Sequence, residues 1–128
     1  MSGQWIEQTG IILFTEQYMK CVAFYRDVIG LEILFSKDSL TCFQFGSGYL
    51  MVESGGVASQ HEKTFAQNAV TLRLNVKDVM QCAELLRQRG AEVKVNEWDW
   101  GTTGLLLDPD GNRVELKNHH DGFFAPAP

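Results

Sequence analysis

Long apolar runs are absent from this 128-residue sequence, and basic residues are outnumbered by acidic ones. The longest apolar stretches, such as IILF at residues 11–14, are far too short to cross a bilayer, and no basic-then-apolar segment typical of a secretory signal opens the sequence. The net charge is -5. Nucleic acids and anionic membranes both attract basic surfaces, so this charge argues against both as partners.

Cysteine is also scarce. The three cysteines, Cys21, Cys42 and Cys82, are odd in number and lie inside apolar patterns. This usage predicts reduced, buried thiols and a cytoplasmic protein rather than a secreted disulfide framework. A glycine-rich phosphate loop, a nucleophile elbow and a CxxC pair are all missing, so the sequence does not indicate those chemistries.

The sequence contains an internal duplication. A shift of 61 positions brings several residues into register: Leu13 with Leu74, Gln17 with Asp78, Cys21 with Cys82, and Arg26 with Arg87. Each half reads as a strand, a helix and three further short strands. The sequence therefore predicts an α+β fold of two tandem βαβββ modules, at about residues 8–56 and 69–118, within one domain spanning residues 1–128.

Apolar residues at three- and four-residue spacing predict an amphipathic helix in each module. They are Tyr18, Cys21, Val22, Tyr25, Val28 and Ile29 in the first helix, and Val79, Cys82, Leu85 and Leu86 in the second. Asp78 with Gln81 resembles a capping box, and Gly30 and Gly90 follow where left-handed caps would end the helices. The predicted later strands cover residues 31–37, 40–45, 48–53, 91–95, 102–108 and 112–117, with a linker at 54–68.

Two phrases carry a family resemblance: FYRDVIGLE at residues 24–32 and DPDGNRVEL at residues 108–116, with Trp100-Gly101 just upstream of the second. In this order they resemble the vicinal oxygen chelate superfamily of glyoxalase I, bleomycin-resistance proteins, fosfomycin-resistance enzymes and extradiol dioxygenases. The resemblance covers about residues 10–118. It implies sheets curled into cups, a site enclosed by paired cups, and a homodimer.

The resemblance also implies four positions at which family enzymes usually hold a divalent metal: Gly10, Glu53, Thr71 and Glu115. Histidine is expected at one or both of Gly10 and Thr71, but glycine has no side chain and a threonine hydroxyl is a poor neutral ligand. Two carboxylates with water would hold magnesium or manganese only weakly. We therefore expect no cofactor; if a divalent metal is present, its ligands are Glu53 and Glu115.

Histidine is available only outside those four positions. His61 falls in the linker, and His119 and His120 follow the last strand. We interpret them as solvated surface residues, because a ligand role would require the chain to fold back.

Strand alternation predicts which polar side chains share the cup face of the second module. They are Thr71, Arg73 and Asn75 on the fifth strand, and Arg113, Glu115 and Lys117 on the eighth. Two bare carboxylates about 4 Å apart would repel by roughly 4 kcal/mol at an effective dielectric near 20. Our hypothesis is that Arg73 or Arg113 takes the electrical place of the metal beside Glu115. The alternatives are that Arg113 points outward and that Glu53 is solvated at the rim.

Aromatic residues complete the predicted site. Trp98 and Trp100 flank Asp99 in a polar segment, and full burial there would bury that acid too. They are predicted to form walls for a flat or cationic ligand. The predicted ligand-binding residues are Phe14, Tyr49, Glu53, Thr71, Arg73, Trp98, Trp100, Arg113 and Glu115. Phe123 and Phe124 of the tail are candidates to fold back as a cover.

Three functions fit these features. The first is a metal-independent small-molecule-binding protein of the bleomycin-resistance type, which sequesters an aromatic or cationic ligand. The second is a divalent-metal-dependent lyase, isomerase or dioxygenase with an atypical ligand set. The third is a non-catalytic interaction module whose cup is filled by its own side chains. The architecture alone does not choose between them, because function depends on the site.

Overall fold

The computed structural model describes residues 2–122 and contains two βαβββ modules, which confirms the predicted α+β fold. After a short 3₁₀-helix (Gly3–Trp5), the first module comprises β1 (Gly10–Thr15), α1 (Tyr18–Ala23), a π-helix continuing α1 (Phe24–Ile29), β2 (Ile33–Lys37), β3 (Leu40–Phe45) and β4 (Gly48–Ser54). The second comprises β5 (Leu72–Val76), α2 (Val79–Gln88), β6 (Lys94–Trp98), β7 (Gly101–Leu107) and β8 (Arg113–Asn118). Phe123 and Phe124 lie outside the described residues.

Both modules have the same sheet topology. The strand orders are β1-β4-β3-β2 and β5-β8-β7-β6. In each sheet the first and last strands of the module pair in parallel, and the other neighbours are antiparallel. A parallel pair needs a crossover connection, which the helix after the first strand begins. The chain divides into two compact units between Ala58 and Ser59, with one module in each.

The first unit packs its helical segment on one face of its sheet. Tyr25 is buried there, and its ring lies 6.3 Å from that of Phe43, between ring centres. The predicted apolar stripe omitted Phe24, which is buried in the structure. Phe24 lies three residues after the buried Cys21, a spacing that places both on the same side of the helix. Gly30 ends the helix with a φ of 87°, as predicted.

The second unit confirms the predicted start of α2. Asp78 is the N-cap, and its side chain accepts a hydrogen bond from the Gln81 N–H at 3.1 Å. The buried residues of α2 are Val79, Ala83 and Leu86. The predicted stripe was therefore wrong at Leu85, which is exposed. The steps of four and three residues from Val79 to Ala83 and Leu86 average close to the 3.6 residues of a helical turn, whereas the steps of three from Val79 to Cys82 and Leu85 do not.

The strand bounds differ most around β6. This strand was predicted at residues 91–95 but covers Lys94–Trp98, so the first of the two tryptophans of the NEWDWG segment ends a strand. The predicted turn at Asp110-Gly111 is present. Asp108 accepts hydrogen bonds from the N–H groups of Asp110 and Asn112, each at 2.9 Å, and Gly111 adopts a φ of 87°. These contacts lie within five residues, and the N–H groups of Ser59 and Lys63 donate to the carbonyls of Asp110 and Gly111 from outside the turn.

The cap of α2 should make a measurable contribution to stability. Replacing Asp78→Ala removes the acceptor for the Gln81 N–H and should lower the free energy of unfolding by about 1 kcal/mol, measured by urea denaturation. Glu84→Ala is the matched control, because Glu84 is exposed on the same helix and should change stability by less than about 0.5 kcal/mol. Equal effects of the two substitutions would contradict the capping role.

Candidate functional site

The face of the first sheet opposite α1 carries the predicted residues of the first module. We define the first open face by five side chains that alternate with the buried ones on β1 and β4: Ile12, Phe14, Tyr49, Met51 and Glu53. Phe14 is 52% exposed, and Glu53, its register partner on β4, is half-buried. Phe43, by contrast, is fully buried on the helix side. Of these five side chains, Tyr49 and Glu53 are the polar ones.

Tyr49 lies over Gly10 on the first open face. The two residues are register partners in the parallel β1–β4 pair. A Cβ added at Gly10 would overlap the ring atoms of Tyr49. The tyrosine ring therefore fills the space that a side chain at position 10 would need, and a histidine could not be accommodated there without moving it.

The corresponding face of the second sheet carries the charged and indole side chains. We define the second open face by six side chains on the same side of β5, β6, β7 and β8: Arg73, Asn75, Trp98, Thr103, Glu115 and Lys117. Arg73 and Glu115 are register partners. The Nε and Nη2 atoms of Arg73 both lie 2.7 Å from Glu115 Oε1. The ion pair predicted for Glu115 is therefore present, with Arg73 as the partner.

Trp98 and Trp100 form a parallel aromatic pair beside this ion pair. Their ring centres are 6.2 Å apart with 3° between the planes. Trp98 Nε1 donates a hydrogen bond to Thr103 Oγ1 at 2.9 Å, which fixes the orientation of its ring. Trp98 and Trp100 remain 52% and 40% exposed. Two large, oriented and accessible indoles are a suitable surface for a planar ligand.

A buried lysine supports Trp100. Lys117 Nζ lies 5.8 Å from the centre of the Trp100 ring, and it forms an ion pair with Asp121. The side chain of Lys117 is fully buried. Gly101, which has a φ of 150°, leaves room for the Asp121 carboxylate that pairs with Lys117. A Cβ at position 101 would overlap that carboxylate. Sequence reasoning missed Asp121, which follows the last strand in a segment without any periodic pattern.

Arg113 has partners different from the predicted carboxylate. Its guanidinium is buried and donates to Thr71 Oγ1 at 2.9 Å and to the carbonyl oxygens of Lys63, Asn68 and Val70. Its Cζ lies 4.7 Å from the centre of the Phe65 ring. Arg113 thus holds the segment before β5 against the sheet, and in this structure it does not neutralise Glu115.

The donor set does not fit a transition metal. Gly10 offers no donor, and the Thr71 hydroxyl accepts a hydrogen bond from the Arg113 guanidinium. Glu115 is bound to Arg73, whose positive charge opposes a cation at the same carboxylate. Within residues 2–122, no group of three or more histidine, cysteine, aspartate or glutamate side chains is placed to hold a metal ion.

The remaining candidate ligands do not change this arrangement. His119 Nδ1 lies 3.2 Å from Asn75 Nδ2 at the edge of the second open face, and both His119 and His120 are exposed. Burial raises the pKa of the Cys42 thiol, so this cysteine stays protonated at neutral pH and is a poor nucleophile or metal ligand.

Comparisons with known proteins agree with this architecture. Residues 5–116 match the family model described as the Glyoxalase/Bleomycin resistance protein/Dioxygenase superfamily. A comparison with curated proteins finds no match. Within the described part of the chain, no helix is long and apolar enough to cross a membrane.

Solved structures with related folds include binding proteins and enzymes. Lactoylglutathione lyase from Agrobacterium tumefaciens has a TM-score of 0.70 and 20% identity, with 90% of this chain and 94% of that chain covered. TnmS3, an antibiotic binding protein from Streptomyces sp. CB03234, has a TM-score of 0.69 and 18% identity, with coverages of 88% and 95%. A variant of FosX, a fosfomycin resistance protein from Listeria monocytogenes, complexed with Mn(II) and dihydroxypropylphosphonic acid, has a TM-score of 0.66 and 19% identity, with coverages of 88% and 90%. At these identities the likeness concerns the fold.

The Arg113 contacts predict a structural rather than a ligand-binding effect. Arg113→Met leaves several inward-facing carbonyls without donors and should lower the free energy of unfolding by about 3 kcal/mol. Hydrogen exchange should also become faster in residues 63–70. Arg26→Met is the matched control, because the exposed Arg26 pairs with its neighbour Asp27, and it should leave exchange in residues 63–70 unchanged. Unchanged exchange in the Arg113 variant would contradict this assignment.

The contact between Gly10 and Tyr49 predicts non-additive substitutions. Gly10→Ala should destabilise the protein by about 2 kcal/mol, because the new methyl group displaces the tyrosine ring. In a Tyr49→Ala background the same substitution should cost nothing, since the space is then open. Urea denaturation of the four proteins measures this coupling. Additive effects would contradict the overlap.

Proposed function

The chain belongs to the Glyoxalase/Bleomycin resistance protein/Dioxygenase superfamily, and we propose that within it this protein is a metal-independent small-molecule-binding protein of the bleomycin-resistance type. The observation that carries the proposal is the ion pair of Arg73 with Glu115. It neutralises the acid at a position where the family resemblance implies a metal ligand. The protein would bind its ligand without chemical conversion.

The first step of the argument concerns the donors. A metal ion at Glu115 would have to displace Arg73, lose the charge-assisted contact at 2.7 Å and leave two positive charges close together. Gly10 and Thr71 would add no imidazole to compensate. This donor set supports a site without a resident metal, and it disfavours the alternative of a metal-dependent lyase, isomerase or dioxygenase.

The second step concerns the ligand. Trp98 and Trp100 present parallel, partly exposed rings that are held in place by Thr103 and Lys117. Rigid aromatic side chains bind planar ligands with little loss of conformational entropy. The charges of the second open face are paired. Of the two kinds of ligand expected from the sequence, aromatic and cationic, this favours the aromatic one. We therefore propose a planar aromatic ligand that stacks on the tryptophans.

The related structures are compatible with this choice. TnmS3 is an antibiotic binding protein, whereas FosX was crystallised with Mn(II), so one fold carries both kinds of site. We further propose that the protein acts as a homodimer in the cytoplasm. The exposed apolar side chains of Ile12 and Phe14 support the first point, and the small, odd number of cysteines supports the second.

Tryptophan substitution tests the binding site. A panel of planar aromatic compounds, including quinoline, is titrated into the protein while thermal stability and heat of binding are measured. Trp100→Leu should weaken binding of the compounds that bind by about tenfold, because one stacking surface is lost. Trp5→Leu is the matched control, since Trp5 is an exposed tryptophan on the 3₁₀-helix and does not belong to the second open face, and it should leave affinity unchanged. If no planar compound binds, or if both variants bind equally well, the proposal fails.

Elemental analysis tests the metal-independent part. Protein purified without chelator should contain far less than one equivalent of zinc, nickel, iron or manganese, and dialysis against EDTA should not alter ligand affinity. A stoichiometric metal whose removal abolishes binding would instead support the metal-dependent enzyme.

A further inference from the structure

We infer that the first open face holds a binding site of its own, in which Glu53 and Phe14 bind a methylated organic ammonium ion. The site does not use the tryptophans, so the inference goes beyond the aromatic ligand proposed above. Two features carry it: a carboxylate that the protein leaves without a partner, and the apolar side chains on either side of that carboxylate.

Glu53 is an unpaired acid. Within the described part of the chain, its carboxylate has no hydrogen-bond or ion-pair partner. In the second sheet the register partner of Glu115 is Arg73, which neutralises it. The register partners of Glu53 are Phe14 on β1 and Leu40 on β3. The half-buried Glu53 therefore lies between two apolar neighbours and lacks a cation of its own.

Phe14 supplies the aromatic side of the site. Neighbouring strands are about 4.8 Å apart, so a group bound to the Glu53 carboxylate would lie next to Phe14, which is 52% exposed. Organic cations bind over aromatic rings at up to about 6 Å from the ring centre. Met51 and Ile12, each two positions earlier on the same strands, extend the apolar surface. An acid and an aromatic ring thus stand side by side on an apolar sheet face.

Backbone contacts fix the strands that carry these two side chains. Thr15 Oγ1 donates a hydrogen bond to the Glu53 carbonyl at 2.8 Å. The N–H groups of Gly55 and Gly56 donate to the Thr15 carbonyl at 3.0 and 3.1 Å. These bonds tie the end of β4 to the end of β1. The backbone of the site is therefore in place before a ligand arrives, which lowers the entropic cost of binding.

The apolar surroundings favour a methylated ammonium over a primary one. A primary ammonium has three N–H donors, and Glu53 cannot accept from all three, so donors that point at Leu40 or Met51 would be left unpaired. A trimethylammonium group has no N–H donor, and its methyl groups can pack on those side chains and on Phe14. Its charge is balanced by the acid. The site thus takes a bulky cation that forms no hydrogen bonds.

The nearest basic residue in the same row of the sheet is too far away to take the place of the ligand. Lys37 pairs with Leu40, which pairs with Glu53, so the Cα atoms of Lys37 and Glu53 are two strand spacings or about 10 Å apart. Lys37 Nζ lies 5.4 Å from the centre of the Phe35 ring. This separation is about one Debye length at 0.1 M salt, so repulsion of a bound cation by Lys37 is weak.

A dimer that covers this face would still need a cation there. The exposed side chains of Ile12 and Phe14 also support the proposed homodimer, and a second copy packed on them would bury Glu53 further. A carboxylate buried without a partner is costly. Such an interface would have to leave the acid open to water or enclose a cation against it.

Three matched probes test the preference for a methylated cation, and NMR titration of the protein measures their affinities. They are choline, which has a trimethylammonium group; 3,3-dimethylbutan-1-ol, its neutral isostere; and ethanolamine, a primary ammonium. The wild-type protein should bind choline at least about tenfold more tightly than the other two, because the alcohol loses the ion pair and ethanolamine leaves donors unpaired. Equal affinity for choline and either of the other probes overturns the inference.

Substitutions assign the preference to the two residues. Glu53→Gln should lower choline affinity about tenfold and leave the affinity of 3,3-dimethylbutan-1-ol unchanged, because only the charge is removed. Phe14→Leu should lower choline affinity about threefold, since a side chain of similar polarity replaces the ring. Unchanged choline affinity in the Glu53 variant overturns the inference.

Glu32→Gln is the matched control for the loss of one negative charge. Glu32 is exposed, and its carbonyl accepts a hydrogen bond from the Gln44 N–H. Gln44 pairs with Tyr49, four positions before Glu53 on β4, so Glu32 is more than about 13 Å from Glu53. The control should leave choline affinity unchanged. An equal loss in both variants would show a general effect of net charge and overturn the inference.

This inference and the proposed aromatic site fail separately. Trp100→Leu should leave choline affinity unchanged, and its loss in that variant would assign choline to the tryptophans and overturn the inference. If planar compounds bind but choline does not, the aromatic site stands and the ammonium site is wrong. If choline binds with the expected preferences but no planar compound does, the ammonium site stands and the aromatic proposal is wrong.

Self-association identifies the other possible occupant of this face. If choline does not bind and Glu53→Gln strengthens the dimer in analytical ultracentrifugation, a second copy of the chain covers the face in place of a ligand, and the inference is overturned.

Discussion

Parallel pairing of the first and last strands of each module is the constraint on which both open faces depend. It places Gly10 opposite Tyr49 in the first sheet and Arg73 opposite Glu115 in the second. Residues opposite each other in a sheet share a face, so the glycine is covered by a ring and the acid is neutralised by an arginine. A register slip of one residue would turn these side chains to the helix side and remove both contacts.

The two modules share a topology but differ in the chemistry of their open faces. The first is largely apolar, with Ile12 and Phe14 beside a single half-buried acid, Glu53. The second combines paired charges with two oriented indoles. The duplicated backbone therefore offers two different surfaces at equivalent positions. Side chains rather than topology determine what each surface can bind.

Three residues at alternate positions of β8 illustrate how burial divides their roles. Arg113 donates hydrogen bonds to carbonyl groups of the segment before β5, and Lys117 forms an ion pair with Asp121. Both are buried, and a buried charge without a partner is costly, so neither is available to a ligand. Glu115 lies between them and is partly exposed. It is thus the residue of this series with hydrogen-bonding capacity left over.

The sequence alone determined two kinds of feature: those formed by residues close together in the chain, and those that follow from the repeated order of strands and helix. The duplication predicted the strand and helix order, Asp78 predicted the start of α2, and Asp110-Gly111 predicted the turn before β8, because each depends on a few neighbouring residues. Alternation also put Arg73 and Glu115 on one face. Only the tertiary structure decided that Arg73 rather than Arg113 takes the acid, that Tyr49 covers Gly10, and that Asp121 neutralises Lys117. These choices depend on register between distant strands and on where the chain returns after the last strand, and no local pattern encodes either.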